Sequence, residues 1–403
     1  MRRHLLAIVL GPAVLAAGPA AAAQAYDRDD LRAKLSREMS LAGPNSGALV
    51  RDLESGATLY ERRGDSPRVP ASVEKLFTTS TALLRIGSGG TLATRVLTDG
   101  TPGLDGVLRG DVFLVGGGDP TLAGGHLKRL AQGLTRQGVR AIEGRVYGDE
   151  SLFDDRRGGP RTRFAFDGYM GGVLSAVAYR RGFDKKLSPP ADAADRFAAY
   201  LRLAGVAVPA GGHAGIAPPG AQEIARVASP TMRDMAAMVN GASDNFAAEM
   251  LFKGLGAQFG SGGTHAAGQG VVRSTMKGLG LTPTVSDGSG LSRSNRTTPR
   301  QVVRLFEQMA ERPDEGMALR ASLPVAGRSG TLTRRMRGTP AQRRCRAKTG
   351  TLNGVSSLAG VCVTGAGDDV AFAFLLNGVN TTSAKRIEDR MAAAIARVDE
   401  ELE

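Results

Sequence analysis

Two side chains in PASVEKLFTTSTALL (70–84) could do chemistry together: Ser72 and Lys75, three positions apart behind Pro70, on a run that reads as a helix. Positions i and i+3 share a helix face, so an amine would lie beside the hydroxyl. A serine in the first helical turn also has its N–H near the positive end of the helix dipole. A serine hydroxyl becomes a useful nucleophile when a neighbouring base takes its proton, and a desolvated lysine beside another cation can be that base. Taken alone the pair carries little: S-x-x-K arises about once by chance in a chain this long, and two ordinary polar helix residues are the commoner explanation.

Two more triplets change the weighing. GASDNFAAE holds Ser243–Asp244–Asn245 at a helix–loop junction, and AKTGTL holds Lys348–Thr349–Gly350 on a strand. They begin 171 and 276 positions after Ser72. Each has a plain reading on its own, as a turn or an edge strand. S-x-x-K, S-D-N and K-T-G in this order are together the signature of penicillin-binding proteins and class A β-lactamases.

Three longer strings, GGGDPTL (116–122), DGSGLSR (287–293) and KTGTLNGVSSLAG (348–360), narrow this further. With the triplets they make the chain resemble the low-molecular-mass class C penicillin-binding proteins, the exported D-alanyl-D-alanine carboxypeptidases and endopeptidases of bacterial cell walls. The likeness runs along nearly the whole mature chain. It implies that Ser72 attacks the carbonyl of the penultimate D-Ala of a peptidoglycan stem peptide and forms an acyl-enzyme. Lys75 would take the proton, Ser243 would relay one to the leaving D-Ala, and Asn245 would hold the substrate amide. Lys348 would bind the terminal carboxylate with Thr349 and Thr351, next to Gly350. The N–H groups of Ser72 and Thr351 would form the oxyanion hole, a large term in such reactions. Like charge between Lys75 and Lys348 would depress both amines. β-Lactam antibiotics would be covalent inhibitors.

The elements that must position these residues can be outlined. DRDDLRAKLSREMSL reads as a helix, and SGALVRDL and GATLYER as a hairpin around ESG. GVLRGDVFLVGGGDP reads as a strand ending in a Gly-rich turn, GGHLKRLAQGLTRQG as an amphipathic helix, AIEGRVYGD as a strand and ADAADRFAAYLRLAGV as a helix. The stretch 230–256 is mostly helical, and a further helix is capped near Thr298 with Pro299 in its first turn. RRCRAKTGTLNGVSSLAGVCVTG and DVAFAFLLNGVN give three antiparallel strands before a terminal helix. The expected fold is α/β (α+β): a serine β-lactamase/transpeptidase-like domain, an antiparallel sheet flanked by helices, interrupted by a smaller inserted α/β domain. The expected boundaries are 1–25 signal peptide, 26–94 and 227–403 transpeptidase-like domain, and 95–226 insertion.

Asn353–Gly354 between two strand-like runs is the strongest short hairpin signal. If Leu352 faces Val355, facing positions sum to 707, as Cys345 and Cys362 do. Seven steps out from a hydrogen-bonded pair is a non-hydrogen-bonded one, where backbones lie closest and a disulfide can form. Two buried free thiols are the alternative.

Composition sets the remaining bounds. The 403 residues carry a formal charge of +13, 42% hydrophobic residues and no Trp. Basic residues are scattered, with no block and no aromatic interleaving, which argues against nucleic acid. Arg2, Arg3 and His4, then LLAIVLGPAVLAA and small residues, form an export signal too short to span a membrane comfortably. The mature chain is expected in the cell wall, the periplasm or outside the cell, without a later membrane span. His126, His213 and His265 fall in or near Gly-rich stretches and read as surface loop residues without ligand spacing, so no metal or cofactor is expected. No G-x-S-x-G elbow supports a His-based hydrolase, and LVGGGDP lacks a nucleotide-loop completion. Two other functions compete. A serine β-lactamase of class A would use a Glu after S-D-N to activate water, yet 250–285 holds no Glu or Asp. A catalytically silent cell-wall scaffold would not need Ser72, Lys75, Ser243, Asn245 and Lys348 all intact.

Overall fold

The computed structural model describes residues 26–183 and 188–400; the export-signal stretch 1–25 lies outside the described residues. In chain order the strands are β1 Ser46–Asp52, β2 Thr58–Arg62, β3 Ala93–Thr98, β4 Thr101–Pro102, β5 Val107–Arg109, β6 Val112–Val115 and β7 Ala141–Ile142. They continue with β8 Val146–Asp149, β9 His213–Ala214, β10 Gln222–Ala228, β11 Cys345–Leu352, β12 Val355–Val363 and β13 Asp369–Asn377. The α-helices are α1 Arg28–Leu41, α2 Lys75–Ile86, α3 Gly124–Arg136, α4 Pro189–Leu203, α5 Met232–Ala242 and α6 Asn245–Phe259. After them come α7 His265–Gly278, α8 Pro299–Ala310, α9 Pro313–Ser322 and α10 Thr381–Arg397.

The first and last strands share one antiparallel sheet, ordered β11-β12-β13-β1-β2. DVAFAFLLN is apolar at nearly every position because this sheet is covered on both faces. Ala371, Ala373 and Leu375 face a core built with α2, α5, α6 and α8. Phe372, Phe374 and Leu376 face a second core with α1 and α10. Period-two side-chain alternation is what divides the two sets. The fold is thus mixed α/β, an antiparallel sheet between helical layers.

Strands from the middle of the chain make a second sheet, ordered β10-β3-β6-β8-β9, and a small one, β4-β5-β7. GVLRGDVFLV is not one strand. It breaks at Gly110, where a Cβ would lie 2.6 Å from the Gly100 Cα, so β5 joins the small sheet and β6 the larger. Leu127, Leu130, Leu134, Phe197 and Leu201 bring α3 and α4 onto the larger sheet.

α2 is the central helix. The sequence shows an apolar side, but Lys75 through Leu83 are all buried. Its three threonines are tolerable there because Thr79 Oγ1 and Thr81 Oγ1 donate back to the Lys75 and Phe77 carbonyls, both at 2.8 Å, and Thr78 Oγ1 donates to Gly288 O at 2.9 Å. Gly87, at φ 87°, ends the helix.

α7 corrects the sequence reading. The Gly-rich stretch around His265 is a helix, capped by Thr264 Oγ1 accepting from Ala267 N, and His265 is only 4% exposed. Gly268 of α7 and Gly256 of α6 serve a helix crossing: a Cβ on Gly268 would lie 2.3 Å from Phe252 O, and one on Gly256 2.6 Å from Gly268 N. α6 and α7 therefore pack closer than side chains would permit. His126 also sits on a helix, its Nδ1 accepting from Ala123 N at 3.2 Å, whereas His213 is exposed. Among the described residues no helix is long and apolar enough to cross a membrane.

Candidate active site

Ser72 lies in a 3-10 turn, Ala71–Glu74, that runs straight into α2. Ala71, just before it, takes a left-handed φ of 48°, an expensive conformation for a residue with a Cβ. Lys75 is fully buried, and its Nζ donates to three oxygens: Ser72 Oγ at 3.0 Å, Asn245 Oδ1 at 2.7 Å and Ser289 O at 2.5 Å. All three donor positions of an ammonium are thereby satisfied.

The S-D-N residues form the hinge between α5 and α6. Ser243 caps α5 at φ 59°, and Asp244 caps α6 by accepting from Ala247 N at 3.1 Å. Arg181 grips both Asp244 oxygens, one at 3.1 Å. Asn245, the first residue of α6, also donates from Nδ2 to Tyr169 O at 2.8 Å. The middle of the chain therefore contributes one wall of this site.

Lys348, fully buried on the edge strand β11, donates to Ser243 Oγ at 2.9 Å and to Thr349 O at 2.8 Å. Thr349 Oγ1 meets Thr331 Oγ1 at 2.8 Å, and the Thr351 side chain is exposed. Gly350 lies against the Ser72 turn: a Cβ there would be 3.0 Å from Ser72 N. The β11–β12 hairpin pairs Leu352 with Val355 and Cys345 with Cys362. Val363 N donates to Arg344 O at 3.0 Å, so alternate residues 344, 346, 348, 350 and 352 bond to β12. Residues 347, 349 and 351 then turn their amides to the free edge, as Ala347 N does in reaching Pro324 O at 3.0 Å. Cys345 and Cys362 are joined by a disulfide with Cα atoms 4.0 Å apart.

Burial lowers Lys75 to about 8, against Asp287, Glu249, Asp244 and Glu74, which raise it. Lys348 is held well below its ordinary value, by burial first and by the Lys75 charge second. Desolvation, rather than the like charge expected from sequence, is the leading cause for both.

Beneath Lys75 lies a group of acids that the three motifs do not include. Asp287 accepts from Gly290 N (2.8 Å), Ser292 N (2.6 Å) and Asn295 Nδ2 (2.8 Å), and burial with nearby Glu249 pushes it up to about 6. Its oxygens are taken up in shaping the DGSG turn, which separates it from a water-activating role. Glu74 is fully buried with neither carboxyl oxygen hydrogen-bonded, and burial holds its proton on well above the ordinary range. Glu249 sits four residues after Asn245 on the same face of α6, the one sequence signal that could have found it. Among the described residues no cluster of three or more His, Cys, Asp or Glu is arranged to hold a metal ion.

The profile of the D-Ala-D-Ala carboxypeptidase 3 (S13) family matches residues 28–171 and 181–398. The chain is 31% identical to a D-alanyl-D-alanine carboxypeptidase of an Actinomadura species over an alignment of 456 residues, covering 92% of this chain and 84% of the relative. The crystal structure of penicillin binding protein 4 from Haemophilus influenzae superposes with a TM-score of 0.75 at 22% identity, covering 89% of this chain and 97% of that one. A predatory peptidoglycan endopeptidase from Bdellovibrio bacteriovorus shares the fold at a TM-score of 0.56 and 16% identity, over 87% and 92% of the two chains.

Proposed function

The chain belongs to the D-Ala-D-Ala carboxypeptidase 3 (S13) family, and we propose that it carries out that peptidase reaction by acyl transfer through Ser72. The observation that carries this reading is the 3.0 Å contact between Lys75 Nζ and Ser72 Oγ. Lys75, with its proton affinity lowered to about 8, is the base. It takes the hydroxyl proton as Ser72 Oγ attacks the carbonyl carbon of the penultimate D-Ala. The oxyanion is met by the N–H of Ser72 and by that of Thr351, which the hairpin alternation turns to the free edge of β11. Two such donors account for orders of magnitude in rate. The C–N bond then breaks, and the proton that Lys75 took passes to the leaving D-Ala amine, relayed by Ser243 Oγ, which lies 2.9 Å from Lys348 Nζ, so that Lys75 is a free amine again. Lys348 and Thr349 receive the terminal carboxylate, and Asn245 orients the substrate amide. Water attacking the Ser72 ester by the same base completes hydrolysis.

A β-lactam would acylate the same oxygen. Asp287 and Glu249 are occupied by backbone amides, and no acid in 250–285 takes the water-activating part. The adduct should therefore be long-lived, which separates this enzyme from a β-lactamase. The basic–apolar signal at 1–25 supports export to the wall compartment. Residues 95–226 act as an inserted unit whose Tyr169 carbonyl and Arg181 reach the S-D-N turn.

The test is release of D-Ala from a stem pentapeptide ending in D-Ala-D-Ala. The wild type should release one equivalent and the Ser72→Ala variant none; release by the variant would refute the reading. A cross-linked dimer as substrate decides whether endopeptidase action accompanies it.

A further inference from the structure

Three buried groups beside the motifs form a chain of contacts to Lys75. Glu249 is fully buried on α6 and accepts three hydrogen bonds. Ser289 N donates to Oε1 at 2.8 Å, and Gly288 N donates to Oε2 at 3.1 Å. His265 Nε2, from the first turn of α7, lies 3.2 Å from the same Oε2. The carbonyl of Ser289 is in turn the 2.5 Å acceptor of Lys75 Nζ. One residue, Ser289, thus links the carboxylate to the amine: its N–H points to Glu249 and its C=O to Lys75.

The turn has no slack. A Cβ on Gly288 would lie 2.6 Å from Phe252 Cβ and 2.8 Å from Ala248 O, and one on Gly290 2.0 Å from Ala71 O. The Gly288 carbonyl is held by Thr78 Oγ1 at 2.9 Å. The same turn therefore packs on α6, on α2 and on the residue before the nucleophile.

We propose that Glu249, held in place by His265, is a positioning residue for the base: through the Gly288 and Ser289 amides it fixes Ser289, whose carbonyl receives the Lys75 ammonium, and its charge governs how readily Lys75 gives up its proton. This rests on Lys75 being the base of the reaction above. The charged and titratable groups around Glu249 are His265 on α7, Asp287 in the turn, and Lys75 and Glu74 at the start of α2; Asp244, the N-cap of α6, acts on Lys75. Burial alone would raise Glu249, but His265, Ser289 and Gly288 outweigh it and keep the carboxylate ionised. An ionised Glu249 favours the protonated form of Lys75. It keeps the amine from becoming so poor a base that it could no longer accept the Ser72 proton.

The experiment is the rate of acylation by a fluorescent penicillin from pH 5 to 10, on wild type, Glu249→Gln, His265→Gln and Lys75→Met, each checked by thermal melting. Gln has one acceptor oxygen and no charge, so one turn amide loses its partner. In Glu249→Gln the rising limb of the profile should move to lower pH by about one unit, with the upper plateau down about tenfold. His265→Gln should move the limb in the same direction by less, since Glu249 without its partner takes up a proton more readily. A plateau that falls with the limb unmoved would make Glu249 merely structural and overturn the proposal, as would a shift to higher pH or no change at all. If Glu249→Gln does not melt cooperatively, the limb of His265→Gln decides by the same criterion. Wild-type rates in Lys75→Met would instead sink the role of Lys75 itself, leaving the two failures distinguishable.

Discussion

Gly350 and Ser72 touch through the backbone: a Cβ on Gly350 would lie 3.0 Å from Ser72 N and 2.7 Å from Pro70 O. Both neighbours are main-chain atoms of a turn already held at an unfavourable φ by Ala71, so neither yields cheaply. Gly350→Ala should displace the Ser72 amide while the hairpin stays paired. We expect penicillin acylation to slow about a hundredfold, the scale of a misplaced oxyanion donor, with little change in melting temperature. Acylation at the wild-type rate would place the oxyanion donor elsewhere.

The Lys75 amine sets a pH dependence with a definite sign. Its value falls from an ordinary 10.5 to about 8, and only the free amine accepts a proton. Acylation should rise with pH through a midpoint near 8. The same shift acts on stability. Below pH 8 folded and unfolded chains both hold the proton, and its burial costs stability. From about 8 to 10.5 only the unfolded chain still holds it, so stability rises with pH. Melting temperatures of wild type relative to Lys75→Met at pH 8 and pH 10 should show this gain; a difference that shrinks with pH would reverse the sign and contradict the assignment.

The disulfide joins the strand carrying Lys348 to its neighbour, inside a core where both Cys are buried. Replacing both with Ala should cost about 2–3 kcal/mol, read as a lower denaturant midpoint. Acylation at 25 °C should stay within a few-fold, because the β11–β12 ladder still positions Lys348. In denaturant without reductant the wild type should take up no thiol alkylating agent; two alkylations per chain would show free thiols.

Arg181 holds the S-D-N hinge from outside. Its guanidinium grips Asp244, whose side chain is 9% exposed. Arg181→Ala leaves that carboxylate with one backbone donor at the start of α6, directly before Asn245. We expect kcat/KM for a D-Ala-D-Ala peptide to fall about tenfold as Asn245 loosens, with a small loss in melting temperature. An unchanged kcat/KM would mean that α6 alone fixes Asn245.

How far the sequence could be read differs from residue to residue, for physical reasons. The hairpin register followed from Asn353–Gly354, because a two-residue turn determines every pair beyond it, including Cys345 with Cys362. The α8 start was legible in Thr298 and Pro299, since capping is local chemistry. His265 was misread because its flanking glycines resemble a loop, whereas Gly268 lies in α7 and serves a helix crossing with Phe252, 16 residues before it. Glu249 was missed because its partners Gly288 and Ser289 lie 39 and 40 residues away, and only folding brings them to Lys75. α7 and α9 went unread too, both mixing small and polar residues with few regularly spaced apolar ones.

The central claim is that Ser72 Oγ is the nucleophile. Peptide mass mapping after incubation with a penicillin, followed over hours, tests it directly. A lasting adduct of the intact penicillin mass on the peptide containing Ser72 is the expected result. An adduct on any other residue, or none while the penicillin stays intact, would contradict it; penicillin hydrolysed without a lasting adduct would make the chain a β-lactamase instead.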